Sequence, residues 1–177
     1  DEEIQALDIL KNDLRIKEDM FDFNGVIRMP NEIRKGTEMS LDNCSDDYKL
    51  DNGVFVPKRR LIRKRLMAEY GADNWREFSK LHWGTKWNAY DVYVNDVSDE
   101  CFMVSFSTAW SPPTPVIQKM GEMFPNLIIE MEYQEEGMGF AGTMGYEPDL
   151  GFYDNEGELI YLSDCCKKDV NVYVWVE

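Results

Sequence analysis

Cations are scarce in this chain. It carries 19 Lys and Arg against 34 Asp and Glu, a net charge of −15 over 177 residues. Such a surface repels phosphate backbones and anionic lipids and attracts basic partners; in the plainer reading it only keeps the protein soluble. Imidazole is scarcer still, with His82 alone. The four cysteines, Cys44, Cys101, Cys165 and Cys166, form no C-x-x-C pair, and none lies near His82. The usual ligand spacing of a zinc site is therefore absent, and neither a metal nor a cofactor is expected. The adjacent Cys165 and Cys166 are unsuited to an ordinary disulfide, so the thiols read as reduced and the setting as cytoplasmic. A long apolar run is also lacking. The longest uncharged stretch, Cys101 to Gln118, contains four hydroxyl residues before Pro112, Pro113 and Pro115. It cannot form one apolar spanning helix. No signal or transit peptide pattern precedes it. The chain opens at Asp1 without a methionine, which we read as a trimmed or processed start. There is no internal repeat and no low-complexity tract.

What is present is enough for a core: 44% of residues are hydrophobic and 13% aromatic. The length suits one domain spanning 1–177, with an insertion somewhere in 31–82. Leu7, Leu10 and Leu14 at helical spacing predict a helix over 2–18. A brief strand at Phe21–Phe23 follows, then a turn at Asn24-Gly25 and a stop at Pro30. Residues 31–56 are polar and read as an irregular insertion, with a turn at Asp51-Asn52-Gly53. From Lys58 the composition inverts: Lys58, Arg59, Arg60, Arg63, Lys64 and Arg65 sit on a helix whose apolar side is Leu61, Ile62, Leu66 and Tyr70. Gly71 breaks that helix, and Asp73 is the expected N-cap of the next segment.

The second half is strand-rich. Asp91–Asn95 and Cys101–Ser107 alternate and predict a hairpin across a polar turn, the second strand lying inside the sheet. Ser111-Pro-Pro-Thr-Pro115 starts a helix, with Thr114 as the cap and Pro115 at the first position. Val116, Met120, Met123 and Phe124 form its apolar side, and Pro125 marks its end. Leu127, Ile129, Met131 and Tyr133 predict one face of a strand, followed by a glycine-rich strand from Met138 to Tyr146. A hairpin is expected across Asp154-Asn-Glu-Gly157, joining Phe152-Tyr153 to Leu159–Tyr161, and a last strand at Val170–Val176. Strand, strand, helix, strand, strand predicts an α+β fold: a mainly antiparallel sheet with helices on one face, ferredoxin-like, with extra C-terminal strands and the insertion near 31–56.

Three ordered motifs, WGTKWNAYDV, STAWSPPTPVIQKMGEMFP and YQEEGMGFAG, span residues 83–142, and FDFNGVIRMP lies at 21–30. Together they resemble the YubB-type ferredoxin-like family of bacteriophage and conjugative-plasmid proteins. The resemblance implies a ferredoxin-like fold and a mobile-element origin, and it implies no activity.

Motifs that carry chemistry are few, and no catalytic set is legible. Gly137-Met-Gly139-Phe-Ala-Gly142 satisfies G-x-G-x-x-G, but Gly145 and Pro148 argue against the helix that a dinucleotide site needs there. The glycines fit close strand packing instead. Glu130, Glu132, Glu135 and Glu136 could hold a divalent cation and support a metal-dependent enzyme, although such residues more often form the solvated face of a strand. The basic segment 58–65 is either a phosphate grip or a helix that pairs with the protein's own acids. Trp75, Trp83, Trp87 and Trp110 fall within 36 residues, with Lys86 between two of them. Tryptophan is enriched at interface hot spots, so Trp83, Lys86, Trp87 and Trp110 are the candidate partner-binding residues; the competing reading packs the rings at a sheet–helix junction. The reading favoured on balance is a non-enzymatic acidic protein that binds a basic protein, host-encoded or element-encoded. The alternatives are a nucleic-acid-binding module and, third, the metal-dependent enzyme.

Overall fold

The computed structural model describes residues 11–12, 16, 20–35, 48–98, 101–135, 137, 139–158 and 170–175. They fall into two compact units, residues 29–82 and the remainder. The smaller unit holds α1 (Asn31–Lys35), β1 (Tyr48–Asp51), β2 (Val54–Pro57), α2 (Lys58–Tyr70) and α3 (Trp75–Phe78), and a π-helical turn runs from Ser79 to Trp83. The stretch read as irregular thus contains a helix and a hairpin. Strands β1 and β2 pair antiparallel, with Asp51 opposite Val54. The two residues between them, Asn52 and Gly53, have φ of 49° and 81°. That is the left-handed pair a type I′ hairpin turn requires, and the Asn-Gly dipeptide supplies it. The turn was legible, but four-residue strands are too short for alternation to show.

In this unit Ile33, Leu66, Ala72 and Phe78 are buried. Of the expected apolar side of α2, Leu66 alone is fully covered; Leu61, Ile62 and Tyr70 are half-buried. The N-cap of α3 is Asn74, whose Oδ1 accepts from Glu77 N at 3.0 Å, and not Asp73. The Asp73 carboxylate is engaged by Arg63 at 3.4 Å and by the Asn74 side-chain amide at 3.0 Å.

The larger unit is built on one six-stranded sheet of β3 (Tyr90–Ser98), β4 (Cys101–Ser107), β5 (Ile128–Glu135), β6 (Phe140–Glu147), β7 (Gly151–Glu158) and β8 (Val170–Trp175), with α4 (Thr114–Met123) crossing from β4 to β5. The strand order is β3-β4-β8-β5-β6-β7, and every neighbouring pair is antiparallel. Since β4 and β5 both run against β8, they are parallel to each other with β8 between them. That is a split β-α-β unit, the core element of the ferredoxin-like α+β fold.

The periodicities explain the core. On β4, Phe102, Val104 and Phe106 are buried, and on β5 so are Ile129, Met131 and Tyr133. The face they share is covered by α4 and by the N-terminal segment, where Phe21 and Phe23 meet Phe106 edge-on at 5.3 and 5.9 Å. Phe21 and Phe23 belong to no strand: residues 23–25 form a 3₁₀ turn. Of the helix expected over 2–18, Lys11 and Asn12 are helical, Ile16 is not, and the rest lies outside the described residues.

Three further expectations need correction. Helix α4 buries Val116, Ile117, Met120 and Gly121, while Met123 is exposed. Its cap is Pro113, whose carbonyl accepts from Val116 N and Ile117 N; Thr114 is already helical and caps nothing. Finally, residues 154–157 do not turn. Strand β7 runs straight through them, paired along all of β6 from Glu147–Gly151 to Phe140–Glu158. A continuous ladder outweighs the local turn propensity of Asp-Asn-Glu-Gly. The expected partner strand at 159–161 lies outside the described residues.

The glycines of β6 are there for close approach. A Cβ on Gly145 would stand 2.2 Å from the Ile129 carbonyl oxygen and 2.8 Å from the Tyr153 hydroxyl. Gly145→Ala is expected to cost about 1–3 kcal/mol, the usual range for overpacking. Urea unfolding monitored by circular dichroism will read it as a lower midpoint with an unchanged slope.

Candidate functional site

The site lies where the parallel strands β4 and β5 end. Two segments meet there, residues 83–90 leading into β3 and residues 107–113 leading from β4 to α4. The first is anchored toward the core. The Trp83 indole N–H donates to the Ile27 carbonyl at 2.9 Å, and its ring meets Phe23 at 5.9 Å. Asn88 donates through Nδ2 to Asp22 at 2.8 Å and accepts through Oδ1 from Phe23 N at 2.9 Å. Asp22 also accepts from the Asn24 backbone and side chain. The stretches FDFNG and WGTKWNAY are thus one clamp.

The two segments are then tied to each other. Thr85 is buried, and its hydroxyl both donates to the Ala109 carbonyl and accepts from Ala109 N, each at 3.1 Å. Ser111 donates to the Gly84 carbonyl, and Thr108 donates to the Ser111 carbonyl at 2.8 Å. Gly84 has φ of 78°, and a Cβ there would meet Pro115 Cδ at 2.7 Å, so no other residue fits. Trp110, held between these bonds, takes φ of 70°, the left-handed region that a bulky side chain rarely enters.

The outcome differs for the three tryptophans grouped from sequence. Trp83 is 4% exposed and belongs to the core. Trp87 is 46% exposed and Trp110 62%. Lys86 places its ammonium over both exposed rings, 4.8 Å from the Trp87 centroid and 4.9 Å from that of Trp110. Tyr90 meets Trp87 edge-on at 6.3 Å. Beside them opens a cleft of about 200 Å3, lined by Trp87, Tyr90, Ser107 to Pro112, Tyr133, Gln134, Glu135 and Phe140. A second hollow of about 340 Å3 adjoins it across Trp110 and reaches Gly84, Thr114 and Asp154. Tyr133 closes the floor: its ring fills the space over Gly142 and its hydroxyl donates to Asp154 at 3.2 Å. Sequence reasoning missed Thr85, Tyr90, Tyr133 and Phe140 as site residues. Their roles rest on contacts between distant segments, for which no local pattern exists.

The other candidates are placed as follows. On α2, Arg60, Arg63, Lys64 and Arg65 are exposed and Lys58 is half-buried; the Arg59 side chain lies outside the description. Arg63 pairs with Asp73 as above, and Arg65 pairs with Glu32, whose carboxyl is held below its usual range by the hydrogen bond and charge of that guanidinium. Glu132 is exposed, Glu130 and Glu135 half-exposed, and Glu136 is outside the described residues. Among the described residues no three His, Cys, Asp or Glu come close enough to hold a metal ion. Gly137 to Gly142 lead into strand β6 and not into a helix, so they offer no helix N-terminus to a pyrophosphate. His82 donates from Nε2 to the Tyr70 carbonyl at 2.7 Å and stacks on Phe78 at 4.2 Å, a structural role at the end of α2. Burial pushes the Cys101 thiol up, the opposite of an activated nucleophile. No helix among the described residues is long and apolar enough to cross a membrane.

The fold is thus that of a ferredoxin-like α+β domain. Residues 89–161 match the model of a family described as the ferredoxin-like domain in Api92-like protein. That range takes in the cleft residues from Tyr90 through Asp154 and begins just after Lys86 and Trp87. No curated protein matches the chain, and no solved structure does.

Two outcomes test this geometry. Thr85→Val removes both bonds to Ala109 and leaves its buried backbone groups unpaired. It is expected to cost about 1–3 kcal/mol in denaturant unfolding, whereas Trp110→Ala, at an exposed ring, is expected to leave the midpoint nearly unchanged. On β7, burial, with Glu130 and Glu147 adding to it, raises the Tyr153 phenol above its ordinary value of 10.0. A raised folded value means that the neutral phenol is the favoured form. Its contribution is present below the ordinary tyrosine range and is lost as pH climbs through the folded value. In an alkaline absorbance titration, Tyr153→Phe should remove a late-ionising tyrosine.

Proposed function

We propose that this protein is a non-enzymatic interaction module that engages a basic protein through the cleft at the ends of β4 and β5. The observation that carries the reading is the pair Trp87 and Trp110. Two exposed tryptophans stand on a backbone clamped by Thr85, Ser111 and Asn88. Exposed, rigidly held tryptophans are what interface hot spots are made of, because they offer a large area with little side-chain entropy to lose. The net charge of −15 favours a cationic partner and faster encounter with it. Kinship with the YubB-type family belongs to the same reading. It makes the protein one of a phage or plasmid, acting in the cytoplasm on a host or element-encoded basic protein, in regulation or counter-defence.

The exposed Arg60 and Lys64 favour a second reading, nucleic-acid binding by the segment 58–65. Against it stand the overall charge and the carboxylate partners of Arg63 and Arg65.

Capture from lysate with wild type and with Trp87→Ala/Trp110→Ala, over a salt series, separates the two. The first reading expects a basic protein whose retention falls with salt and is lost in the double variant. Salt-sensitive DNA or RNA binding that disappears on neutralising Arg59, Arg60, Arg63 and Lys64, with the tryptophans irrelevant, would instead establish the second.

A further inference from the structure

We infer that the space between Trp87 and Trp110 is an arginine site, held in the free protein by the chain's own Lys86. The inference rests on the interaction reading above and names the group recognised. Lys86 lies nearly equidistant from the two ring centroids, 4.8 and 4.9 Å, so its ammonium is shared by two indole faces. Both distances fall within the roughly 6 Å at which a cation is attracted by the ring quadrupole. Two rings sharing one cation constitute a built site, and the backbone at Trp110 is held on either side, by the two Thr85 bonds to Ala109 and by the Ser111 bond to Gly84.

The surroundings suit a second cation better than the first. Carboxylates line the two adjoining hollows, Glu135 in one and Asp154 in the other, together with Tyr90, Tyr133 and Gln134. An aromatic pair beside carboxylates recognises a cation by its flat face and by its N–H donors at once. A guanidinium offers both, whereas a lysine ammonium is a strongly hydrated point charge without a face to stack. An anion or a nucleic-acid phosphate would have to approach the same carboxylates within a chain of net charge −15. The occupant is therefore an arginine side chain on a basic segment of the partner. Lys86 acts as a tethered competitor that keeps the rings covered until that arginine arrives. A hydrophobic pair this exposed would otherwise invite nonspecific association.

The probe is an amidated, acetylated peptide alternating arginine with glycine, set against its lysine counterpart of equal charge, with a single-stranded oligonucleotide as the third ligand. The full chain is used, and folding of each variant is checked by circular dichroism. The arginine peptide is expected to bind roughly five- to tenfold tighter than the lysine peptide and to lose that margin in Trp110→Ala. Lys86→Met keeps the apolar stem and removes the competitor, so the arginine peptide should bind several-fold tighter to it. In wild type, the ε-methylene protons of Lys86, shifted upfield by the two rings, should return to ordinary positions as the peptide is added. Equal binding of both peptides, with Trp110→Ala and Lys86→Met neutral, overturns the arginine site while leaving the acidic interaction reading standing. Binding of neither peptide overturns both. Oligonucleotide binding that is lost in Lys86→Met shows that Lys86 contacts phosphate and overturns the proposal in favour of nucleic acid.

Discussion

The backbone ladder that β8 makes on both of its edges joins two halves of the sheet that share no other strand pairing among the described residues. On one side is the β3–β4 hairpin and on the other the β5-β6-β7 meander. Residues 170–175 pair with Phe106 to Cys101 on one edge, and residues 171–175 pair with Glu132 to Ile128 on the other. This insertion keeps β4 and β5 parallel and one strand apart. Adjacent strands lie about 4.8 Å apart, so the ends of β4 and β5 stand about two strand spacings from each other. The cleft lies beside those ends and is lined by Ser107 from the one and by Gln134 and Glu135 from the other. Strand β8 therefore sets the distance between the two strand ends that flank the cleft.

How much of this the amino-acid sequence discloses follows from which forces are local. Strand β4 announces itself because burial on one face imposes a period of two, and Phe102, Val104 and Phe106 obey it. The same holds for Ile129, Met131 and Tyr133 on β5. The strand–helix–strand order was legible from the Pro-Pro corner and α4 between those strands, whereas the insertion of β8 between them rests on pairing across some sixty residues of chain and left no local trace. Turns were less reliable. Asn52-Gly53 makes the turn its dipeptide demands, yet Asp154 to Gly157, an equally turn-like string, is drawn into β7 by eight residues of pairing with β6. Local propensity decides only where no ladder competes for the same residues.

The tryptophans show the limit more sharply. Trp83, Trp87 and Trp110 are alike to any composition-based reading, and their structural roles are opposed. Trp83 is drawn inward because its indole N–H finds the Ile27 carbonyl and its ring finds Phe23. Nothing near residue 83 in the chain encodes Ile27. Trp87 and Trp110 are kept outward by hydrogen bonds made by their neighbours, Asn88 and Thr85, to segments 66 and 24 residues away. Long-range anchoring of a short loop leaves no periodic trace, so the site was half visible: its residues could be named, and their exposure could not.

Backbone strain gives an independent view of the same place. Among the described residues three non-glycines have positive φ: Asn52, Asp91 and Trp110. Asn52 is accounted for by its hairpin turn. Asp91 follows the cleft residue Tyr90 at an irregularity in the β3–β4 register, and Trp110 stands at the junction of the two hollows. A left-handed aromatic costs of order 1–3 kcal/mol and persists only where its surroundings over-determine it. Here the two-way bond from Thr85 to Ala109 and the Ser111 bond to Gly84 do so on either side of Trp110. Relaxing Trp110 to an ordinary φ would turn its ring away from Lys86 and dissolve the pair of indole faces. The strain and the paired faces are two aspects of one conformation, and a loop selected for stability alone would have neither.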